Sequence, residues 1–347
     1  MPSDASRLYT PSVYAVSPPE SIVVPPCIVC DATRARTTYR VEGVLSPIVV
    51  CEDCGLGYYH PMLGSEEVAS FYPPEYYGKP GTKFRSAIEA LVRLVGRRHV
   101  RFLSRDLRKG ARVLDIGCGR GVLLAPLADM GFETHGFEVS PDAVRGADSR
   151  AEIRIAPRLV EARYPSDFFD EAILWHVLEH LADPRGTLEE CRRVLRPGGR
   201  IVVAVPNFSS VQSRWSGPAW FHLDPPRHLY HFPADALWRL LGRSGFTCAS
   251  VHHFSLRQNP FGWIQSAFNR YSGLPRNALY THMYRTDPRK RVPLDRLTRA
   301  GMWAAFVAAT PIALAVSASM AVARSGATIH IVAYRWGAFT APCGDTR

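Results

Sequence analysis

The sequence predicts a doubly wound α/β fold, a largely parallel sheet with helices on both faces, on three observations. Val113-Leu-Asp-Ile-Gly-Cys-Gly-Arg-Gly121 is a hydrophobic strand that runs into a glycine-rich turn ahead of a helix. A second strand then ends on one acid, Glu138, nineteen residues after Gly119. From there to about residue 335, strand-like and helical segments alternate.

Taken in order, residues 84–108 place Ile88, Leu91, Val92, Val95, Phe102 and Leu103 near helical spacing, which predicts an amphipathic helix. The first strand is 112–116, followed by a helix over 121–130 that Gly131 closes. The second strand is 134–138. Ser140-Pro-Asp142 reads as the N-cap and first turn of another helix. A third strand falls near 152–155, and the fourth, 169–175, leads straight into His176-Val-Leu-Glu-His180. A helix over 188–195 is closed by Arg196-Pro-Gly-Gly199, ahead of a fifth strand at 200–205. Strands near 247–253 and 328–334 complete the set. Ligands of such sheets bind off the carboxyl ends of the strands. The 117–121 loop, Glu138, residues 175–180 and the loop after Val205 all lie there.

The glycine loop reads G-x-G-x-G through Gly117, Gly119 and Gly121, and Val122 stands where a dinucleotide fingerprint has its third glycine. Asp115, two residues ahead of Gly117, would repel a phosphate and suits a cationic or amine-bearing ligand. Glu138 suits a ribose, because a carboxylate accepts hydrogen bonds from both hydroxyls. On these residues the chain resembles the class I S-adenosylmethionine-dependent methyltransferases, whose first motif reads like Asp115-Ile-Gly-Cys-Gly-Arg-Gly121. The resemblance implies a seven-stranded Rossmann-like sheet with its last strand antiparallel. It implies S-adenosyl-L-methionine as cofactor, held by Asp115, Gly117, Cys118, Gly119, Gly121, Glu138, Trp175 and His176.

Four of the eight cysteines form two pairs, Cys27-Ile-Val-Cys30 and Cys51-Glu-Asp-Cys54, with twenty residues between them. This is zinc-ribbon spacing. Four thiolates close the coordination shell of one Zn²⁺, so Cys27, Cys30, Cys51 and Cys54 predict a structural metal. Disulfides, or a redox pair, are the other readings, and a reducing compartment disfavours the disulfides. With Cys54-Gly-Leu-Gly-Tyr-Tyr-His60 and Phe71-Tyr-Pro-Pro-Glu-Tyr-Tyr77, the ribbon resembles the front end of bacterial methyltransferases of sugar, polysaccharide and secondary-metabolite pathways. There the ribbon helps cover the active site. The expected organisation is a disordered tail over 1–26, the ribbon over 27–62 and a helical linker or lid over 63–110. A methyltransferase domain over 111–337, with an insertion at 256–325, precedes a short tail over 338–347.

Methyl transfer is a displacement that often needs a base for the acceptor proton, and no covalent nucleophile. Histidine titrates in the useful range. His176 and His180 flank Glu179, and His222, Arg227, His228 and His231 occupy the loop after strand five. His228 is the first choice for the base and His180 the second. A structural histidine bonded to a backbone carbonyl is the ordinary alternative for each. Residues 176–180 also resemble the quinone-biosynthesis O-methyltransferases, where Glu-x-x-Glu-His can carry a divalent metal. His176 stands where that pattern has its first Glu, and in the broader group Leu178-Glu-His180 mostly anchors a helix.

The composition, 46% hydrophobic and 21% charged over 347 residues, is that of a globular chain. Residues 1–21 show no apolar leader, which predicts a bacterial-type cytoplasmic protein. The net charge of +11 comes from arginine, with lysine only at 79, 83, 109 and 290. Arginine-favouring codon usage is one reading of this. An anionic partner is the sharper reading, and Arg285, Arg289, Lys290, Arg291, Arg296 and Arg299 crowd into one stretch. The uncharged segment from Gly301 to Ala323 follows. It is expected either as a buried helix or helical hairpin, or as an element that dips into an anionic membrane surface. The function expected is methylation of a small molecule or glycan, a lipid-linked sugar among them, with oxygen as the acceptor atom. An rRNA or tRNA methyltransferase is the runner-up, disfavoured by a ribbon poor in basic residues and by Leu174-Trp-His-Val177 in place of a base-methylating motif. A non-catalytic scaffold is the third reading. The acceptor's identity and the oligomeric state are not legible.

Overall fold

The computed structural model describes residues 11–72, 99–283 and 292–336. The chain builds two sheets. The first belongs to the ribbon. Strands β1 (Val13–Ala15), β2 (Ser21–Val23), β3 (Arg34–Val41), β4 (Ile48–Cys51) and β5 (Gly57–Tyr59) pair antiparallel, and helix α1 (Ser65–Ser70) follows. Residues 11–26 therefore differ from the disordered tail that their Pro and Ser content predicts. Two short stretches within them lie along β3 and satisfy its edge.

The second sheet has seven strands. In chain order come β6 (Arg112–Ile116), helix α2 (Leu124–Asp129), β7 (Glu133–Glu138), β8 (Glu152–Ile155), β9 (Phe169–Trp175), helix α3 (Pro184–Val194), β10 (Leu195–Pro206) and helix α4 (Val211–Ser216). Then come β11 (Tyr230–His231), helix α5 (Ala234–Arg243), β12 (Phe246–His252), helices α6 (Gln258–Arg270), α7 (Ala278–Met283) and α8 (Arg296–Val322), and β13 (Thr328–Arg335). The sheet order is β12-β13-β10-β9-β6-β7-β8, with β13 antiparallel to both neighbours, as the methyltransferase resemblance implies. Strands β6 to β10 pair parallel. Their residues are almost wholly buried from Val113 to Ile116, from Phe169 to Leu174 and from Ile201 to Val205, because helices cover both faces.

Two local readings differ from the structure, and a third lies mostly outside the described residues. No helix follows Ser140. Residues 141–146 make turns, and Gly146, at φ +80°, ends them before a helix can propagate. Helix α3 starts four residues before the expected Leu188, because the Asp183 carboxylate caps it through Gly186 N–H (2.8 Å) and Pro184 opens it. The expected helix over 84–108 lies mostly outside the described residues; within them, 99–103 are helical.

Strand β11 was read as part of a loop, and it is what joins the two sheets. It pairs antiparallel with β5, Tyr230 opposite Tyr58 and His231 opposite Gly57. The ribbon sheet thus takes its last strand from the loop after β10. A Cβ at Gly57 would be crowded, 3.1 Å from His231 Cβ and 3.2 Å from Phe208 Cε1, so those side chains would have to give way.

The uncharged segment forms one continuous 27-residue helix, α8, with Pro311 inside it, and not a hairpin. It is not a core helix. Met302 and Ala313 are buried against α6 and α7 and Ser317 is buried too, while Val307 and Ile312 are about two-thirds exposed. The cluster Arg285, Arg289, Lys290 and Arg291 lies outside the described residues; Arg296 and Arg299 form the first turn of α8.

Candidate active site

The cofactor half is built at the end of β6. Gly117, Gly119 and Gly121 have φ of +69°, +50° and +72°, a region that L side chains rarely adopt. A Cβ on Gly117 would lie 2.6 Å from Val177 Cγ2, whereas one on Gly119 would meet nothing within 4 Å. The loop therefore packs against the post-β9 segment at one glycine and leaves open space at the next. Glu138 ties the loop to the end of β7. Its Oε2 accepts from Gly119 N–H (3.0 Å), and its Oε1 accepts from Val139 N–H (2.7 Å) and Ser140 N–H (3.2 Å). Cys118 is buried beneath the loop, its Sγ where a Cβ on Gly136 would reach.

Asp115 is buried on the face of β6 that carries Val113. Burial pushes its carboxyl up to about 8, and the Glu138 carboxylate adds to the rise. A cationic group placed beside it would reverse that shift. The open space at Gly119, the acid at Glu138 and an acid awaiting a cation fit S-adenosylmethionine, whose sulfonium and ammonium are positive and whose ribose offers two hydroxyls. Trp175 stands at the end of β9, its ring stacked on His330 (4.7 Å, 15°) and beside His99 (4.7 Å).

The candidate acceptor half is a buried polar cluster on the segments after β9 and β10. His176 has φ +57° and sits between them, its backbone N–H bonded to Ala204 O (2.9 Å). Burial lowers its imidazole to about 3, so the neutral ring presents Nδ1 to Glu179 Oε1 (3.3 Å). Glu179 is 1% exposed, and burial raises it to about 7 against the pull of His180. His228 Nδ1 donates to His222 O (2.8 Å), which fixes the tautomer and leaves the Nε2 lone pair available. That Nε2 lies 3.7 Å from Asp224 Oδ2 and 4.0 Å from Glu179 Oε1. His180 repeats the device, with Nδ1 3.0 Å from Arg227 O and 2.9 Å from Tyr72 Oη. The His180 and His228 rings meet edge-on at 4.6 Å. Burial holds His228 well below its ordinary value, with His180 nearby adding to the effect, so it is uncharged at neutral pH. Burial would raise Asp224, but Arg227, with Nε 3.1 Å from Oδ2, and His228 together hold it below the usual carboxylate range.

Of the histidines named from sequence, His176, His180 and His228 gather around Glu179. His222 supplies the carbonyl that orients His228, and its Nε2 lies 3.3 Å from Gln258 O. His231 is buried on β11. Donor atoms of Glu179, His180 and His228 lie within 4.8 Å of one another, a set able to chelate a divalent ion. Three residues escaped the sequence reading. Tyr59 and Tyr72 come from the ribbon side, and only pairing in space brings them here. Asp224 did carry a signal, an acid three and four residues ahead of Arg227 and His228.

In the ribbon, Cys27 Sγ lies 3.6 Å from Cys54 Sγ, and Cys30 Sγ lies 3.6 Å from Cys51 Sγ. All four sulfurs are within 4.8 Å of one another. A disulfide needs about 2.05 Å. Tetrahedral Zn–S bonds of about 2.3 Å put sulfurs about 3.8 Å apart. The four cysteines therefore fit one Zn²⁺ and close its shell. The thiol of Cys54 draws Cys27 down to about 5, so a thiolate is already favoured at one ligand.

Residues 87–251 match the family model described as a methyltransferase domain. The chain is 36% identical over 170 residues to a ubiquinone biosynthesis O-methyltransferase of Cereibacter sphaeroides (strain KD131 / KCTC 12085), covering 46% of this chain and 68% of that one. It is 32% identical over 105 residues to a protein of the same name from Xanthomonas oryzae pv. oryzae (strain PXO99A), covering 28% of this chain and 44% of the relative. The chain thus spans less than half the length of that relative. Among solved structures, a SAM-dependent methyltransferase from Archaeoglobus fulgidus is 16% identical, with a TM-score of 0.45 over 70% of this chain and 94% of that one.

Proposed function

This chain belongs to the S-adenosylmethionine-dependent methyltransferase family, and we propose that it methylates an oxygen of a small-molecule or glycan acceptor. One observation supports this most. The glycine loop with Glu138 and the cluster around His228 lie off the same carboxyl edge of one sheet, where the two partners of a displacement have to meet.

S-adenosylmethionine, when bound, supplies an electrophilic methyl carbon on a positive sulfur. Gly117, Cys118, Gly119 and Gly121 bring the backbone close to it, and Glu138 holds the ribose. The acceptor oxygen would be held facing that carbon by the segments after β9 and β10. His228 takes the acceptor proton at Nε2. It is suited to this because His222 O keeps the other nitrogen protonated, burial keeps the ring neutral, and Asp224 stands ready to stabilise the imidazolium. His180 is the second group placed for the same task. A metal on Glu179, His180 and His228 would occupy the same lone pairs, so the base reading and the metal reading exclude each other.

We further read the enzyme as cytoplasmic, with peripheral contact to an anionic membrane surface. An apolar helix with a large exposed face supports this, with Arg289, Lys290 and Arg291 ahead of it in the sequence. Co-sedimentation with anionic liposomes should fall as salt rises and fall further when those three residues become serine. The catalytic reading is tested by titrating the protein with S-adenosylhomocysteine, then incubating it with isotope-labelled methyl donor and a panel of hydroxylated metabolites, nucleotide sugars and RNA. Label on RNA alone, or no cofactor binding at all, would overturn it.

A further inference from the structure

We propose that the outer face of helix α8 is a lipid-docking surface, lying in the plane of an anionic membrane and not across it. The inference rests on the peripheral reading above and names the face that carries it.

Helix α8 is about 40 Å long at 1.5 Å per residue, and no charge occurs from Gly301 to Ala323. It is apolar around its whole circumference, with a mean hydropathy of 1.9 over its most apolar window, of which 11% is buried. A helix apolar all round belongs in a protein core or in lipid. Only one side of α8 is in a core. Met302 and Ala313 pack with Ile264, Ala278, Leu279 and Met283 in a cluster separate from the main core. On the opposite side, exposed residues recur at Ala304, Ala308, Pro311, Ala315, Ala318 and Val322, spaced as one helical face. Val307 and Ile312 stand beside that stripe, 68% and 67% exposed. Exposed aromatic groups also occur on α4 and just after α6. Trp215 is half exposed, 5.4 Å from Trp263 at a tilt of 50°, and lies under the Arg270 guanidinium (5.1 Å), and Tyr271 is exposed at the end of α6. Such amphipathic rings favour the headgroup region.

The charges select the occupant. Arg296 and Arg299 lie at one end of the helix and Arg324 just beyond the other. Asp295 caps the helix through Leu297 N–H and Thr298 N–H (both 2.9 Å). A second copy packed antiparallel on this face would bring arginines against arginines, whereas anionic headgroups complement them. The orientation follows from the attachments. Ala327 O accepts from Asn207 N–H (2.9 Å), Gly326 O accepts from Asn207 Nδ2 (3.0 Å), and β13 then enters the sheet between β12 and β10. A spanning helix would have to leave α6 and α7 and drag that strand with it. Lying flat costs no contact. Helix α6 has α8 on one side and the acceptor loop on the other, with Phe261 5.1 Å from Phe221. The docked face thus sits one helix away from the loop that holds His222 and His228.

The test uses the full chain with vesicles of phosphatidylcholine and phosphatidylglycerol. The double variant Val307→Asp/Ile312→Asp changes exposed positions only, and calorimetric titration with S-adenosylhomocysteine checks that it remains folded. The variant should partition at least about tenfold less than wild type, with unchanged cofactor affinity, and brominated lipids should quench tryptophan emission of wild type alone. If the variant binds vesicles as wild type does, the arginines carry the contact and the α8 proposal fails while the peripheral reading stands. If wild type does not bind at low salt, the peripheral reading itself fails. A concentration-dependent dimer that the double variant dissolves would make this face an interface between copies and overturn the proposal.

Discussion

Glu138→Ala is the perturbation whose consequence can be worked furthest from the structure. The carboxylate accepts from three backbone N–H groups, those of Gly119, Val139 and Ser140. In the proposed complex it also accepts from the ribose. Val139 is half exposed, so water can replace the carboxylate at the turn after β7. It cannot replace the link from β7 to Gly119 with the same geometry. A hydrogen bond to a charged group contributes about 1.5–3 kcal/mol. With one such ribose bond lost and the other made up by water, cofactor affinity should fall roughly 10- to 150-fold. Glu138→Gln keeps the shape and one acceptor oxygen, but its amide nitrogen cannot accept from Gly119 N–H, so its loss should be intermediate. Calorimetric titration with S-adenosylhomocysteine measures both, with thermal melting as the control for fold. Equal affinity of wild type and Glu138→Ala would refute the assignment.

The remaining expectations concern the metal, the base and pH. Purified protein should carry one zinc per chain on Cys27, Cys30, Cys51 and Cys54, and its removal should raise hydrogen exchange in 13–59 and at Leu229–His231 while sparing 112–138; a metal-free protein with the same exchange pattern would remove the metal from the ribbon. A second metal equivalent, lost in His228→Ala, would favour the chelate over the base. His228→Asn should slow methyl transfer by about 10²–10⁴ with cofactor affinity intact, and an unchanged rate would leave His180 as the base. Burial holds Asp115 protonated up to about 8 and Glu179 up to about 7, both above their ordinary values near 4. Between those limits the folded chain binds more protons than the unfolded one, so each group contributes stability that is full below about pH 4 and lost as pH rises through 7 to 8. Chemical denaturation of the cofactor-free protein should therefore show wild type losing ground to Asp115→Asn from pH 6 to 8.5; a constant difference would mean that Asp115 is ionised throughout.

How much was legible from sequence depended on the distance over which each feature is decided. Strands β6 and β9 were read to the residue, because an apolar run ending in glycine or in a polar turn is a local signal. The count of seven strands and the antiparallel last strand came from resemblance, and the strand order was not read at all, since no local pattern states which strand lies beside which. The helix expected after Ser140 failed on a residue already visible, Gly146, and the early start of α3 was written in Asp183-Pro184. Strand β11 was not legible. Two residues, Tyr230 and His231, become a strand only because β5 offers them an edge. The exposure of α8 was equally hidden, because an uncharged helix reads the same whether a core or a membrane covers it.

The same distinction runs through the site. The cofactor half is decided within thirty residues: loop, helix and acid are consecutive, and Glu138 bonds back to Gly119. The acceptor half is assembled from three remote segments. Tyr59 N–H bonds to Leu229 O (3.3 Å), Leu229 N–H bonds to Glu179 O (2.8 Å), and Tyr72 Oη reaches His180. The ribbon is therefore part of the proposed acceptor half, tied by backbone hydrogen bonds to the segment that carries the proposed base. Cofactor use can be read from one stretch of sequence for this reason, and acceptor choice cannot. Changes in the ribbon that leave Cys27, Cys30, Cys51 and Cys54 untouched can still move Glu179 and His180, and with them the acceptor that fits, while the donor site stays as it is.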